Sequence, residues 1–206
     1  MKLKVCGLKD PINIKMLGQI RPDLMGFIFV KSSPRFIDLD DELIKTIKSV
    51  KSQKVGVFVN EPVTVINDIV EVLQLDYVQL HGDETPERVA QVSEICSVIK
   101  AFQVDDKFDF HLDGYERASL FLFDAKGNRR GGNGIKYNWN LLKRYQESQP
   151  FIVSGGIRLS DADAIRRIRH PKFIGVDINS GFELSPGIKN IDLVAQLKLE
   201  LDEVYS

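Results

Sequence analysis

The 206-residue chain lacks the features that mark several specialised classes of protein. It has only two cysteines, Cys6 and Cys96, which excludes a secreted scaffold held by disulfides and predicts free thiols in a reducing compartment. It has no apolar run long enough for a signal peptide or a membrane span, so we expect cytoplasmic residence and no membrane partner. Because the net charge is -1, no basic field attracts a phosphate backbone, and nucleic acid is not expected as a partner.

Motifs for nucleotide chemistry are absent as well. There is no Walker motif and no dinucleotide-binding fingerprint, so nucleotide hydrolysis and dinucleotide binding lack support. No low-complexity stretch, charge run or Ser/Pro-rich linker marks a domain boundary. With 43% hydrophobic and 28% charged residues, the composition is that of an ordinary globular protein, and we predict a single domain over residues 1–206.

Short apolar runs recur along the whole chain. They lie at 3–7, 25–30, 54–59, 77–82, 97–102, 119–125, 151–156 and 173–178. Segments with helical spacing and start signals separate them, such as those at 40–50 and 159–170. Runs that are apolar on both faces suit parallel strands covered by helices. About eight such units favour an α/β fold of the closed (β/α)₈ type, a TIM barrel, over a doubly wound sheet, which usually needs fewer strands at this length.

Polar side chains stand at the carboxyl ends of several predicted strands. They are Cys6, His81, Asp124 and Asp177, and the alternation of strand residues puts Lys4 on the face of Cys6 and Gln79 on the face of His81. Barrels of this type place their chemistry at this end of the strands. Each residue has a structural alternative: a buried thiol, a hydrogen-bonded imidazole, a capping carboxylate, or an aspartate paired with a luminal lysine. Their convergence favours an active site.

Glycine-bearing segments follow the seventh and eighth predicted strands. These segments are VSGGI at 153–157 and NSGFE at 179–183, and they have two interpretations, as simple strand ends or as an anion site. Glycine lets backbone N–H groups approach an anion closely, and these are the two loops where barrels commonly bind phosphate. The predicted phosphate-binding residues are Gly155, Gly156, Ser180 and Gly181.

Taken together, these motifs resemble those of the phosphoribosylanthranilate isomerases over nearly the whole length. The similar segments are KVCGLKD at 4–10, GFIFVKSSPRFI at 26–37, VQLHGDE at 78–84, LFDAKGNRRGGNG at 122–134, SGGI at 154–157 and GVDINSGFELSPGIK at 175–189. The resemblance implies a TIM barrel that performs an Amadori rearrangement in tryptophan biosynthesis. The reaction would convert N-(5-phosphoribosyl)anthranilate to 1-(2-carboxyphenylamino)-1-deoxyribulose 5-phosphate by general acid-base catalysis.

The same resemblance implies roles for three side chains. Cys6 matches the general base of the family, Asp124 its general acid, and Arg35 of SSPRF the residue that binds the anthranilate carboxylate. Asp124 can protonate the furanose ring oxygen only if its carboxyl carries a proton when substrate is bound. Lys4, if it lies close to Cys6, would favour the thiolate that acts as the base.

Further expectations follow from the family pattern. Backbone near Gly132 would join the two glycine loops in holding the phosphate, while His81 and Asp177 would lie around the substrate. The lysine that usually follows GGNG is displaced by one position, to Lys136. Proton transfer of this kind requires neither a metal nor an organic cofactor. The predicted partner is a small phosphorylated substrate, and the chain would act as a monomer or a homodimer.

Two rival functions stay open at this point. One is another phosphate-binding barrel, such as a sugar-phosphate epimerase or the indole-glycerol-phosphate synthase of the same pathway. An epimerase of that kind would need metal-binding histidines from several strands, whereas this chain has only His81, His111 and His170. The other is a non-catalytic barrel that binds a phosphorylated metabolite or a protein, which would have no need to keep Cys6 opposite Asp124.

Overall fold

Eight parallel strands close into a barrel in the order in which they occur along the chain. The structure is a computed structural model that describes residues 1–126 and 137–202. The strands are β1 (Lys2–Cys6), β2 (Leu24–Ile28), β3 (Gln53–Phe58), β4 (Tyr77–Leu80), β5 (Ser97–Val104), β6 (Leu120–Ala125), β7 (Phe151–Val153) and β8 (Phe173–Ile178). The ring closes where β1 pairs with β8, with Lys4 beside Asp177. The predicted (β/α)₈ barrel is confirmed.

Helices cover the outside of the barrel. The α-helices within the described ranges are α1 (Pro11–Ile20), α2 (Asp41–Ser49), α3 (Val63–Leu73), α4 (Pro86–Ser93), α5 (Ala162–Arg166) and α6 (Ile191–Asp202). Short 3₁₀ helices cover Trp139–Arg144, Leu159–Asp161 and Ser180–Phe182, and a small hairpin is formed by β9 (Glu183–Ser185) and β10 (Ile188–Lys189). Side chains of Asp10, Asp40 and Thr85 cap α1, α2 and α4 by accepting backbone N–H groups of the first turn. No helix in the described part of the chain is long and apolar enough to cross a membrane.

The predicted alternation of strand and helix is wrong between β5 and β6. Residues 105–119 form turns there, because the carboxylates of Asp105 and Asp109 accept the backbone N–H two residues further on. Aromatic rings cover the outer face of these strands instead. Between ring centroids, Phe102 lies 5.3 Å from Phe121, and Phe108 lies 4.9 Å from Phe110. A cluster of rings therefore replaces a helix at this position.

Alternation along the strands separates two apolar cores. The larger core lies between the strands and the helices, and the smaller one fills the amino-terminal part of the barrel lumen. The luminal cluster consists of Leu24, Val55, Ile99, Ala101, Leu120, Leu122 and Ile152. Because the strands are parallel, residues later in each strand lie toward one common end. Asp124, two residues after Leu122, therefore lies at the carboxyl-terminal end of the lumen.

Candidate active site

A cavity of about 690 Å³ opens at the carboxyl ends of the strands. Every predicted site residue that the structure describes lines it: Cys6, Arg35, His81, Asp124, Gly155, Gly156, Asp177, Ser180 and Gly181. Gly132 and the displaced Lys136 lie outside the described residues. One concave site thus collects side chains from β1, β4, β6 and β8 and from three of the loops that follow strands.

Cys6 ends β1 and is buried, with 4% of its surface exposed. Burial raises the pKa of the Cys6 thiol, because a thiolate is poorly solvated inside the protein. The positive charges of Lys4 and Lys189 act in the opposite direction without outweighing burial. Lys4 thus favours the thiolate, as expected from the sequence, but the resting group is a thiol. A thiolate at this position depends on both lysines.

Lys4 and Asp177 form a buried ion pair across the junction of β1 and β8. Lys4 Nζ lies 3.0 Å from Asp177 Oδ1, and the two side chains are 0% and 5% exposed. Burial alone would lower the pKa of Lys4, but the neighbouring Asp177 and Cys6 outweigh it and raise that pKa. Lys4 therefore keeps its charge beside Cys6. Asp177 is paired with a luminal lysine, which was one of the two alternatives for it, and it also lines the cavity.

Arg35 is held by a second carboxylate, that of Glu183. Arg35 donates from Nε to Glu183 Oε1 at 2.8 Å and from Nη2 to Oε2 at 2.6 Å, while Lys189 Nζ donates to Oε1 at 2.7 Å. Burial alone would raise the pKa of Glu183, but the bonds from Arg35 and the charge of Lys189 lower it to about 2. Arg35 and Lys189 therefore share one carboxylate, and burial lowers the pKa of Lys189.

The sequence motifs alone do not single out Glu183 or Lys189. Both lie in the segment GFELSPGIK, which forms the β9–β10 hairpin. Asn13 on α1 fastens this hairpin: its Nδ2 donates to the carbonyl of Lys189 at 2.9 Å, and its Oδ1 accepts the Lys189 N–H at 2.8 Å. Helix α1 thereby fixes the strand that carries Lys189, whose charge acts on Cys6. The charges in the quoted motif were the only available signal.

Asp124, His81 and Gln79 form a row of hydrogen-bonded side chains. His81 Nε2 lies 3.2 Å from Asp124 Oδ2, and Gln79 Nε2 lies 2.7 Å from His81 Nδ1. Gln79 is 1% exposed, and its Oε1 has no hydrogen-bond partner among the residues that the structure describes. Gln79 was noted in the sequence only as sharing a face with His81. Its contact with the imidazole makes it part of the site.

Tyr137 is a further group near Asp124 that the sequence did not indicate. Its hydroxyl is buried and makes no hydrogen bond within residues 1–126 and 137–202. Burial and the charge of Asp124 raise the pKa of Tyr137 well above its usual value, so the hydroxyl stays protonated. The only sequence signal is that an aromatic residue follows the glycine-rich stretch.

The two glycine loops meet at one edge of the cavity. Gly155 has a φ of 95°, which only glycine adopts readily, and a side chain there would collide with the backbone of Ala125. A Cβ on Gly181 would lie 2.2 Å from the carbonyl oxygen of Ile157, so the loop after β8 rests directly on the loop after β7. Backbone of both loops therefore faces the same part of the cavity, as a shared anion site requires.

Comparison with known proteins adds independent information. Residues 3–198 match the family model described as N-(5'phosphoribosyl)anthranilate (PRA) isomerase. A protein of Parabacteroides distasonis named N-(5'-phosphoribosyl)anthranilate isomerase is 41% identical over 197 residues, which cover 93% of this chain and 89% of that protein.

Solved structures show the same likeness. A monomeric form of the dimeric phosphoribosylanthranilate isomerase of Thermotoga maritima is 25% identical, with a TM-score of 0.78 and 98% of both chains covered. Another phosphoribosyl anthranilate isomerase structure, a complex with reduced 1-(o-carboxyphenylamino)-1-deoxyribulose 5-phosphate, is 26% identical with a TM-score of 0.75 and 98% coverage of both chains.

Proposed function

The chain belongs to the N-(5'-phosphoribosyl)anthranilate isomerase family, and we propose that it converts N-(5'-phosphoribosyl)anthranilate to 1-(2-carboxyphenylamino)-1-deoxyribulose 5-phosphate. This is an aldose-ketose isomerisation, an Amadori rearrangement of tryptophan biosynthesis. The observation that carries the proposal is the shared cavity of Cys6, Asp124, Arg35 and the two glycine loops. It combines a base, an acid, a cation and an anion site, which are the groups that this substrate needs.

Asp124 acts first in the proposed mechanism, as the general acid. Its carboxyl gives a proton to the furanose ring oxygen, and the bond between that oxygen and C1' breaks. The product is an open-chain Schiff base, protonated on nitrogen, together with the Asp124 carboxylate. His81 Nε2 lies 3.2 Å from Asp124 Oδ2 and supports the charge that forms there.

Cys6 acts second, as the general base. The iminium group acidifies the proton on C2', and the Cys6 thiolate removes it to give an enolamine, which tautomerises to the ketoamine. Because burial raises the pKa of Cys6, the charges of Lys4 and Lys189 are needed to stabilise the thiolate. General acids and bases each contribute ~10²–10⁴-fold to the rate.

Arg35 and the glycine loops hold the two ends of the substrate. Glu183 occupies the Nε side of the Arg35 guanidinium, and the remaining N–H groups on its other edge are free to bind the anthranilate carboxylate. The ribose phosphate binds to backbone of the loops at Gly155 and Gly181. The contributions of Gly132 and Lys136 stay predictions from the family pattern.

The test is the loss of anthranilate-type fluorescence when the purified protein meets freshly prepared N-(5'-phosphoribosyl)anthranilate. We expect rapid decay with the wild type and with Cys96→Ala, and almost none with Cys6→Ala. Addition of EDTA should leave the rate unchanged, since proton transfers alone perform the reaction. If the wild type gives no decay, the isomerase function is wrong, and a phosphate-binding barrel of another function becomes the alternative.

Assembly and location are part of the proposal. A small phosphorylated molecule is the substrate, and the chain acts as a monomer or a homodimer, which light scattering on the purified protein would decide. Cytoplasmic residence is supported by the requirement for a reduced thiol at Cys6 and by the two free cysteines. Cell fractionation with an antibody against the protein tests it.

A further inference from the structure

Gln79 is a buried amide with no task in the mechanism so far. It is 1% exposed, lines the cavity, and has its amide nitrogen 2.7 Å from His81 Nδ1. Its Oε1 has no hydrogen-bond partner within the described residues. A buried acceptor without a partner costs about 1–3 kcal/mol, so an isosteric apolar residue would be the more stable choice at this position. The amide is therefore explained better by its contact with the imidazole than by packing.

In a neutral His81, the protonation of one ring nitrogen determines that of the other. A neutral histidine has one N–H and one bare nitrogen. If Oε1 of Gln79 faced Nδ1, that nitrogen would carry the proton, and once Asp124 has given its own proton to the substrate, Nε2 would present a lone pair to the Asp124 carboxylate. Two acceptors 3.2 Å apart would then repel each other unless His81 became an imidazolium. When the Gln79 amide nitrogen donates to Nδ1 of His81, a neutral His81 donates from its own Nε2 to Asp124. Both contacts of the imidazole are then favourable.

We propose that Gln79 is a positioning residue that fixes His81 as the neutral tautomer with its proton on Nε2. The role rests on the proposed function, because its value lies in what Asp124 does there. When Asp124 releases its proton to the substrate, the N–H of His81 stabilises the carboxylate that forms. Because Gln79 occupies Nδ1 with a donor, His81 cannot take a second proton there without placing two N–H groups face to face.

Keeping His81 neutral matters for the acid before it reacts. An imidazolium beside Asp124 would favour the carboxylate, and a carboxylate has no proton to give. After proton transfer, the neutral N–H of His81 stabilises the Asp124 carboxylate. Before the transfer it favours that carboxylate less than an imidazolium would. The unpartnered Oε1 of Gln79 is the structural cost of holding the amide in this orientation.

The first test reads the tautomer directly. In a long-range ¹H–¹⁵N spectrum of the wild type at pH 8, we expect Nδ1 of His81 to resonate as a bare, pyridine-type nitrogen and Nε2 as a protonated one. His81 is assigned by the loss of its signals in His81→Gln. A wild-type spectrum with the proton on Nδ1 would overturn the proposal, whether or not the protein has isomerase activity.

The second test changes the donor. In Gln79→Glu a carboxylate faces Nδ1 and draws a proton onto it, so we expect the Nδ1 signal to move to the protonated type. The value of kcat should fall by ~10-fold or more, because the general acid as a whole contributes ~10²–10⁴-fold to the rate. The value of KM should stay within about twofold of that of the wild type. Gln79→Met, which has no donor, should give a mixture of tautomers and a smaller loss of kcat. Gln91→Glu, an exposed glutamine on α4, is the matched control and should change neither reading.

The outcomes separate this inference from the proposed function. If Gln79→Glu moves the proton but leaves kcat unchanged, the positioning role is wrong. If the wild type lacks isomerase activity while Nε2 carries the proton, the function and the catalytic role both fail, and only the tautomer assignment survives. A folded Gln79→Met enzyme with wild-type kcat and the wild-type tautomer would also refute the role of the amide.

Discussion

The two ends of the barrel lumen are built from the same strands but differ in kind. The amino-terminal end is an apolar cluster that includes Leu24, Val55 and Leu122, whereas the carboxyl-terminal end buries Lys4 and Asp124. Only one residue separates Leu122 from Asp124 on β6. Burying an ion is unfavourable unless it is paired, so the buried charges at the carboxyl end need polar partners. The amino-terminal end is therefore stabilised by apolar packing alone, whereas the carboxyl-terminal end combines the reactive groups with buried ion pairs.

Removing the acid should produce the largest effect at the reactive end. Asp124→Asn keeps the shape but has no proton to donate to the ring oxygen, so kcat should fall by ~10²–10⁴-fold with little change in KM. Asp106→Asn, an exposed change in the turns after β5, serves as control and should keep full activity. Steady-state kinetics by fluorescence measures both. A variant with a raised KM and an unchanged kcat would mean that Asp124 binds substrate instead.

Breaking the buried ion pair should cost the most stability. Lys4→Met leaves Asp177 buried without its partner, and we expect the free energy of unfolding to fall by about 3–5 kcal/mol. Lys4→Met with Asp177→Leu should recover most of the loss, because no charge is then buried. Lys2→Met, on the same strand but exposed, is the control. Urea unfolding curves test the series, and equal losses in the single and double variants would contradict the account.

The opposite end of the lumen should respond in stability but not in chemistry. Leu122→Ala leaves a void in the apolar cluster, and the free energy of unfolding should fall by about 2–5 kcal/mol while kcat stays near that of the wild type. Leu199→Ala, at a side chain 68% exposed, should change little. A loss of kcat comparable to that of Asp124→Asn would show that the two ends are not independent.

The carboxylate between Arg35 and Lys189 should make stability depend on acid pH. In the folded protein the pKa of Glu183 is about 2, below its ordinary value of 4.5. The contribution of the ionised Glu183 to the free energy of unfolding is therefore complete above pH 4.5 and is lost as the pH falls toward 2. The difference between these two pKa values corresponds to about 3 kcal/mol of stability. Urea unfolding at several pH values should show this slope in the wild type and a flatter one in Glu183→Gln. Identical slopes would refute the prediction.

The smallest effect is expected at Tyr137. Tyr137→Phe removes a buried hydroxyl that has no partner in the described part of the chain, so the free energy of unfolding should rise by about 1 kcal/mol. The matched change is Tyr115→Phe, where the hydroxyl donates to the carbonyl of Glu84 at 3.1 Å, and there we expect a loss of similar size. Thermal melts compare the two. The same sign of change in both would contradict the prediction.

The barrel and the position of its site follow from local patterns, and this is why they could be predicted. Apolar runs on both faces specify parallel strands, and the carboxyl ends of parallel strands meet at one rim, which brings Cys6 and Asp124 together. The aromatic cover between β5 and β6 could not be predicted, because the spacing of Phe108 and Phe110 does not show what they pack against.

Pairing between distant side chains could not be predicted either. Arg35 and Glu183 are 148 positions apart, and their contact depends on the docking of the β9–β10 hairpin against Asn13. The orientation of the Gln79 amide likewise depends on the protons of two neighbours. Such contacts depend on tertiary geometry, whereas strand periodicity is a property of consecutive residues along the chain.

The ion pair between the first and eighth strands also determines at which stage of folding the active site is complete. Lys4 and Asp177 are separated by 173 positions, so the loop closed by their contact is nearly the whole chain. Contacts of such long range form slowly, and during synthesis β1 leaves the ribosome long before β8 exists. Until β1 pairs with β8, Cys6 lacks the charge of Lys189 and the wall that β8 forms beside it. Recovery of turnover during refolding should therefore report closure of the ring, later than the appearance of helical signal.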